Sequence, residues 1–418
     1  MAAAAWLATV SSAAQTFQAL DPAHPAVGYA GAAADPVATL ADDLRSGARS
    51  LTFEGRTGYL RALLEALDVP VESQVVVFSK TSLQAPLITS RNPRAIYFND
   101  DVAVAWMNGG FIEIAAQDPH RGTVFYVMPQ ARGAAAVPRP DGQCLRCHQA
   151  LATLGVPGML ARSVPSALDG GILPWLGNYT TDHRSPLAER WGGWYVTGAI
   201  AHQAHLGNAP VASARARELP AVRTNALATL ADRFDTSAYL SPLSDVVALL
   251  VFNHQVGMQN VLTRLGWEAR ILAHDRRDHD ASVRALRDTA RVVVDYLLMV
   301  DEAPVTGVEG TSGFAGVFSA SGPRDRHGRS LRDFDLDGRL FRYPCSFLIY
   351  SASFARLPAA AREAVFDRLG QVLGGAEPDP RYERLTADDR RAIVEILRDT
   401  LPDLPASFGL PTPPPSRP

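Results

Sequence analysis

Gln74-Val75-Val76-Val77-Phe78, Ala95-Ile96-Tyr97-Phe98, Val102-Ala103-Val104-Ala105-Trp106, Phe111-Ile112-Glu113-Ile114 and Thr123-Val124-Phe125-Tyr126-Val127 are short runs dense in β-branched and aromatic side chains. Such side chains fit a pleated surface better than a helix. The runs are punctuated by Asn92-Pro93, Asn99-Asp100-Asp101, Asn108-Gly109-Gly110 and Asp118-Pro119, all residues that favour turns. The pattern predicts a small antiparallel sheet over about residues 74–130.

Working outward, Pro36 to Arg45 and Thr57 to Leu67 read as two short helices before the sheet. Residues 131–215 read as mostly irregular and rich in Gly and Pro, a length of loop that is usually organised around something bound. From about Leu219 the pattern becomes helical. Pro242 to Ala273 is the clearest segment, with Ser241 expected as N-cap and Pro242 at the first helical position. Val246 to Phe252 is apolar on every face and should be buried. Ser282 to Val300, Ala359 to Leu373 and Ala387 to Leu401 follow as amphipathic helices, interrupted by a Gly- and Ser-rich loop at 303–330. The expected class is α+β. Its parts are a candidate signal segment (1–20), an α+β sheet region (21–130), a cofactor-binding segment (131–215), a helical region (216–401) and a Pro-rich disordered tail (402–418).

Composition bounds the function. Apolar residues make up 47% of the 418 and charged residues 20%, an ordinary globular balance. A formal net charge of −3 gives no reason to expect nucleic acid as a partner. No run reaches the roughly 18 apolar residues of a membrane span, so no transmembrane segment is expected. The first twenty residues carry no charged side chain. Ala2 to Val10 could form the apolar core of a secretory signal and Ser12-Ala13-Ala14 its cleavage site, although the usual preceding positive residues are missing.

Three cysteines are too few for a disulfide framework. Cys345 lies in an apolar run and reads as a buried, inert thiol. The other two occur in Cys144-Leu145-Arg146-Cys147-His148. Two thiols at this spacing can reach the two vinyl groups on one edge of a porphyrin, and the next residue then offers an imidazole to the iron. A zinc site on the same residues would need a fourth ligand, and adjacent Cys and His rarely bind one tetrahedral ion. A redox disulfide would be expected at a helix start in a thioredoxin-like pattern, which this sequence lacks.

The five-residue motif resembles the attachment signature of the c-type cytochromes. That resemblance implies one covalent haem c, with Cys144 and Cys147 as thioether anchors and His148 as the proximal iron ligand. The chain does not resemble the small soluble cytochrome c fold, being far longer and placing Met159 too close to the motif and Met258 too far. With Phe78 to Gln84 (FSKTSLQ) and Arg190 to Gly198 (RWGGWYVTG), it is similar to a group of bacterial single-haem proteins with no established activity. Covalent haem attachment takes place outside the cytoplasm, so the resemblance also implies a periplasmic or otherwise exported protein. Electron transfer to an unidentified redox partner protein is the expected function. The alternative is a peroxidase- or oxygenase-like haem enzyme with an open distal site.

The sixth ligand would separate these functions. His254, amid apolar residues of the long helix, is either that ligand or a hydrogen-bonded core residue. His205 is its main competitor, with His202 and His183 weaker candidates. Arg190, Trp191 and Trp194 suit a cofactor wall, the arginine pairing with a propionate and the indoles packing on the porphyrin, or else a tight turn filling core. Arg162 is a second propionate candidate. Asp333-Phe334-Asp335-Leu336-Asp337-Gly338 imitates the opening of a calcium loop, but Pro344 stands where a bidentate glutamate is needed. Arg332 and Arg339 could pair with its carboxylates instead.

Overall fold

The computed structural model describes residues 18–133, 135–140, 142–201, 203–219, 226–276, 279–405 and 408. Most of the signal-like segment and of the Pro-rich tail thus falls outside the described residues, as does His202. The expected α+β class is present, with an antiparallel sheet toward the N-terminus and helices toward the C-terminus.

After α1 (Pro36–Ser46) and α2 (Leu60–Ala66), strands β1 (Val75–Val77), β2 (Arg94–Phe98), β3 (Val102–Trp106), β4 (Ile112–Asp118) and β5 (Gly122–Met128) form a meander. Its registers place Val75 opposite Ile96, Ile96 opposite Ala105, Ala105 opposite Glu113 and Glu113 opposite Val127. Side chains alternate between two buried faces. Val76, Tyr97, Val104, Trp106, Ile114 and Tyr126 pack in one core with α1 and α2. Val75, Val77, Ile96, Phe98, Ala103 and Ala105 pack in the other. Burial on both faces explains why these strands read as nearly continuous apolar runs rather than alternating ones.

The segment expected to be irregular is more ordered than its composition suggests. It holds the one-turn helix α3 (Leu145–His148) and strands β6 (Ala161–Ser163), β7 (Tyr179–Thr181), β8 (Trp194–Tyr195) and β9 (Ala199–Ile200). β8 joins the main sheet beyond β1, pairing Val76 with Tyr195 and Val77 with Trp194. The main sheet is therefore completed from outside residues 74–130.

The central helix α4 (Val246–His274) starts four residues later than the sequence suggested, capped by Asp245 rather than Ser241. Asp245 accepts from the N–H groups of Val247 and Ala248, at 2.8 and 3.1 Å. The carbonyls of Ser241 and Leu243 are instead bonded by Gln74 Nε2, and that of Pro242 by Leu230 N, which holds this segment outside the helix. The helices α5 (His279–Leu297), α8 (Ala359–Leu373) and α9 (Ala387–Thr400) match the amphipathic segments closely. The 303–330 segment contains β10 (Val308–Glu309) and α6 (Phe314–Ala320), and α7 (Ala352–Ala355) precedes α8. Among the described residues, no helix is long and apolar enough to cross a membrane.

Candidate functional site

The motif forms the single turn of α3, with Cys144 already in helical geometry at φ −65° and ψ −36°. Residues three apart on a helix share a face, so the two thiols lie together. Cys144 is half-buried and Cys147 exposed, and neither is in a disulfide. Burial, with the negative charge of Glu113, raises the Cys144 pKa above its ordinary value. The thiol form is thereby favoured in the metal-free chain, unlike the lowered pKa of a reactive redox cysteine.

His148 is tied twice to Gly158. The Gly158 N–H donates to the His148 carbonyl at 2.9 Å, and His148 Nδ1 donates to the Gly158 carbonyl, also at 2.9 Å. A carbonyl only accepts, so the proton must sit on Nδ1 and the lone pair on Nε2. Burial lowers the His148 pKa, which keeps the ring in the neutral form that can bind a metal. Its ring packs on Phe125 of β5, with centroids 4.6 Å apart. Gly158 has no room for a side chain, because a Cβ there would collide with the Asn260 carboxamide of α4. Asn260 Nδ2 in turn donates to the Met159 carbonyl at 2.8 Å.

Beside Phe125 the sheet face is only partly covered. Arg94, Glu113, Ala115 and Val127 are half-buried, as are Met159, Leu160 and Arg162 on the segment after the motif. Arg94 and Glu113 form an ion pair of 3.1 Å, and Ser82 Oγ donates to the same carboxylate. Arg94 Nε is buried and has no hydrogen-bond partner among the described residues. Both charges act electrostatically on His148. Small, apolar and charged groups are thus gathered next to the two thiols and the imidazole.

The other residues singled out from the sequence are placed differently. His254 is fully buried, its Nδ1 3.2 Å from His183 Nδ1 and its Nε2 2.7 Å from Ser346 Oγ. Both ring nitrogens are committed to protein partners, so His254 is the hydrogen-bonded core residue rather than a free iron ligand. Burial pushes its pKa down to about 4, and burial with the facing His254 ring drives that of His183 well down. His205 is buried, accepts the Gly207 N–H on Nδ1 at 3.0 Å and meets Trp191 edge-on at 5.1 Å. Burial lowers its pKa to about 4.

Arg190 is 1% exposed, and its guanidinium donates to the carbonyls of Ser185 and His183. Its Nε and Nη2 are thus engaged by backbone carbonyls rather than by a carboxylate. Trp191 Nε1 donates to Asn253 Oδ1 at 3.1 Å, and Trp194 Nε1 to the Arg162 carbonyl at 2.7 Å. The RWGGWY stretch is therefore the tight turn filling core, entered through Trp191 at φ +68°. Arg162 Nε donates to the exposed Asn178 Oδ1 at 2.8 Å. In the calcium-like loop Arg339 approaches Asp335 at 3.9 Å and Arg324 pairs with Asp333, while Arg332 reaches away to Asp100. Cys345 is fully buried, and burial alone pushes its pKa up to about 12.

Sequence reasoning missed Gly158, Phe125, Arg94 and Glu113. Pro157-Gly158 was a visible turn signal after the motif, whereas the other three meet only through strand pairing. No protein-family model, curated protein or solved structure matches the chain.

Proposed function

We propose that the chain carries one haem c, held by thioethers to Cys144 and Cys147 with His148 as the proximal ligand, and that it acts in electron transfer. The observation that carries this reading is the His148 Nδ1–H bond to the Gly158 carbonyl. It fixes the tautomer and leaves Nε2 free, the second-shell arrangement that orients a ligating histidine and raises its basicity. The donor set also fits the group: two thiols on one helical face, the adjoining imidazole, and a half-covered apolar surface with an arginine that could meet a propionate. A bound haem would supply an iron centre able to cycle by one electron. The chain's own contribution would be to hold the ring nitrogen, shield one side with Phe125 and set the nearby charge through Arg94 and Glu113.

The rival zinc reading lacks a full set of ligands at the motif. Among the described residues no group of three metal-binding side chains includes the motif. A periplasmic or otherwise exported location would follow from covalent attachment, and a redox partner protein of unknown identity from electron transfer.

A second reading, an enzyme with an open distal position, is favoured by one observation: the ring nitrogens of His254 are already bonded. Expression with export and cytochrome c maturation factors, followed by a haem stain after denaturing electrophoresis, tests attachment. A stain with sharp reduced bands supports electron transfer. A stain with a high-spin spectrum and direct carbon monoxide binding moves the assignment to the enzyme. Absence of haem with bound zinc overturns both.

A further inference from the structure

Far from the motif in sequence, the end of α4 meets the N-terminal segment. His274 is the last residue of that helix and Asp275 its C-cap, and the next residue, Arg276, turns away at φ +49°. Opposite them lies His24, some 250 residues earlier. Its Nε2 is 3.1 Å from Asp275 Oδ1, and His274 Nδ1 is 3.2 Å from the same oxygen. The two rings meet edge-on at 5.2 Å, and one ligand atom from each of the three residues lies within 4.8 Å of the others.

We propose that His24, His274 and Asp275 bind a borderline divalent transition-metal ion of the Zn²⁺ class. Two nitrogens and a carboxylate oxygen are the donor set such ions prefer. Ligand atoms on tetrahedral arms of about 2.0 Å sit about 3.3 Å apart, close to the nitrogen–oxygen separations here. Three protein ligands leave one coordination position for water, and His274 has a side chain half exposed to solvent.

The arms of the site are held in place without the ion. The His24 carbonyl accepts from both Val27 N and Gly28 N at 2.9 Å. Tyr29, just beyond, is buried and donates to the Thr123 carbonyl at 2.9 Å. On the other side, Asp275 N donates to the Ile271 carbonyl at 2.9 Å, continuing the helix ladder. Electrostatics point the same way. A carboxylate at the C-terminus of a 29-residue helix faces the negative end of its macrodipole, where a cation is favoured. Binding would require the His24 proton to lie on Nδ1, giving up the Ala26 N–H contact to that nitrogen, which at 3.2 Å is long. The ion would clasp the N-terminal segment onto the end of the central helix.

This site does not depend on the haem assignment, and the test keeps the two apart. The full chain carrying Cys144→Ser and Cys147→Ser is titrated with Zn²⁺ and with Co²⁺. The proposal expects one equivalent of Zn²⁺, a melting temperature that rises with metal, and a cobalt spectrum without thiolate charge-transfer bands. Adding His274→Gln, a substitution at a partly exposed helix end, should weaken binding by about 100-fold or more and remove the metal-dependent rise while leaving the metal-free melting temperature nearly unchanged. His24→Gln should do the same to binding. Failure to bind in the Cys variant, equal affinity in the His variants, or a contact strengthened only by lowering the pH would each overturn it.

Discussion

His148 and His254 stand in opposite relations to the protein around them. His148 lies on a one-turn helix at a half-covered sheet face, with Nδ1 tied to a backbone carbonyl and Nε2 uncommitted. His254 lies midway along a buried helix with His183 on one nitrogen and Ser346 on the other. Apolar neighbours in sequence made His254 a plausible ligand, yet the same burial demands that each of its polar atoms find a partner. In His148 only Nδ1 has a hydrogen-bond partner among the described residues, and its place beside the two cysteines is what makes the remaining nitrogen the candidate ligand.

The largest test of that contrast is at the motif. Cys144→Ala with Cys147→Ala should abolish covalent haem completely, and a positive haem stain after denaturing electrophoresis would refute the attachment. At the opposite pole, His254→Ala should cost about 3 to 5 kcal/mol in urea unfolding. It opens a cavity and removes the side-chain partner of His183 Nδ1 and one of the two partners of Ser346 Oγ. The haem absorption spectrum should be unchanged, and a switch in ferric spin state would break the comparison by restoring His254 as a ligand.

Acid should probe the same pair. The ordinary histidine value is 6.5, and burial lowers that of His254 to about 4. Between these values the unfolded chain binds a proton that the folded chain does not. Stability is therefore full above about pH 6.5 and falls as pH drops toward 4, by up to about 1.4 kcal/mol per pH unit for each such histidine. His183 and His205 add in the same direction. Chemical denaturation at several pH values reads the slope, and a flat profile would contradict the buried neutral pair. His254→Ala should make the profile shallower.

Smaller effects sharpen the picture. Trp191→Phe removes the bond to Asn253 and should cost about 1 to 2 kcal/mol without moving the haem bands. A spectral shift would return Trp191 to the cofactor wall. Arg162→Ala removes a half-exposed side chain that, among the described residues, is bonded to an exposed asparagine alone, and should change stability by less than about 0.5 kcal/mol. A changed reduction potential would make it a propionate partner.

These residues also mark what the sequence could disclose. The meander was legible because turn residues punctuate β-rich runs, and β3 matches its run end to end. The start of α4 was not, because Ser241-Pro242 carries a local helix signal that long-range bonds from Gln74 and Leu230 override. The motif was visible because its spacing is set within five residues, and the haem it suggests stands as a proposal. Phe125, Arg94 and Glu113 were not, since they gather only when four strands pair in a particular register. Arg190 and the tryptophans admitted two readings for a related reason. Groups that suit a cofactor also suit a core, and only their bonding partners distinguish the two.

The late arrival of β8 has a consequence for anyone dividing this chain. A fragment ending near residue 130 would leave the hydrogen-bonding edge of β1 bare, because Trp194 and Tyr195 normally cover it. That edge belongs to a strand of three valines, the kind of exposed template that pairs with other chains. The sheet region should therefore aggregate when expressed alone, and it should become soluble only in pieces that reach past Tyr195 and retain α4 to cover its second face.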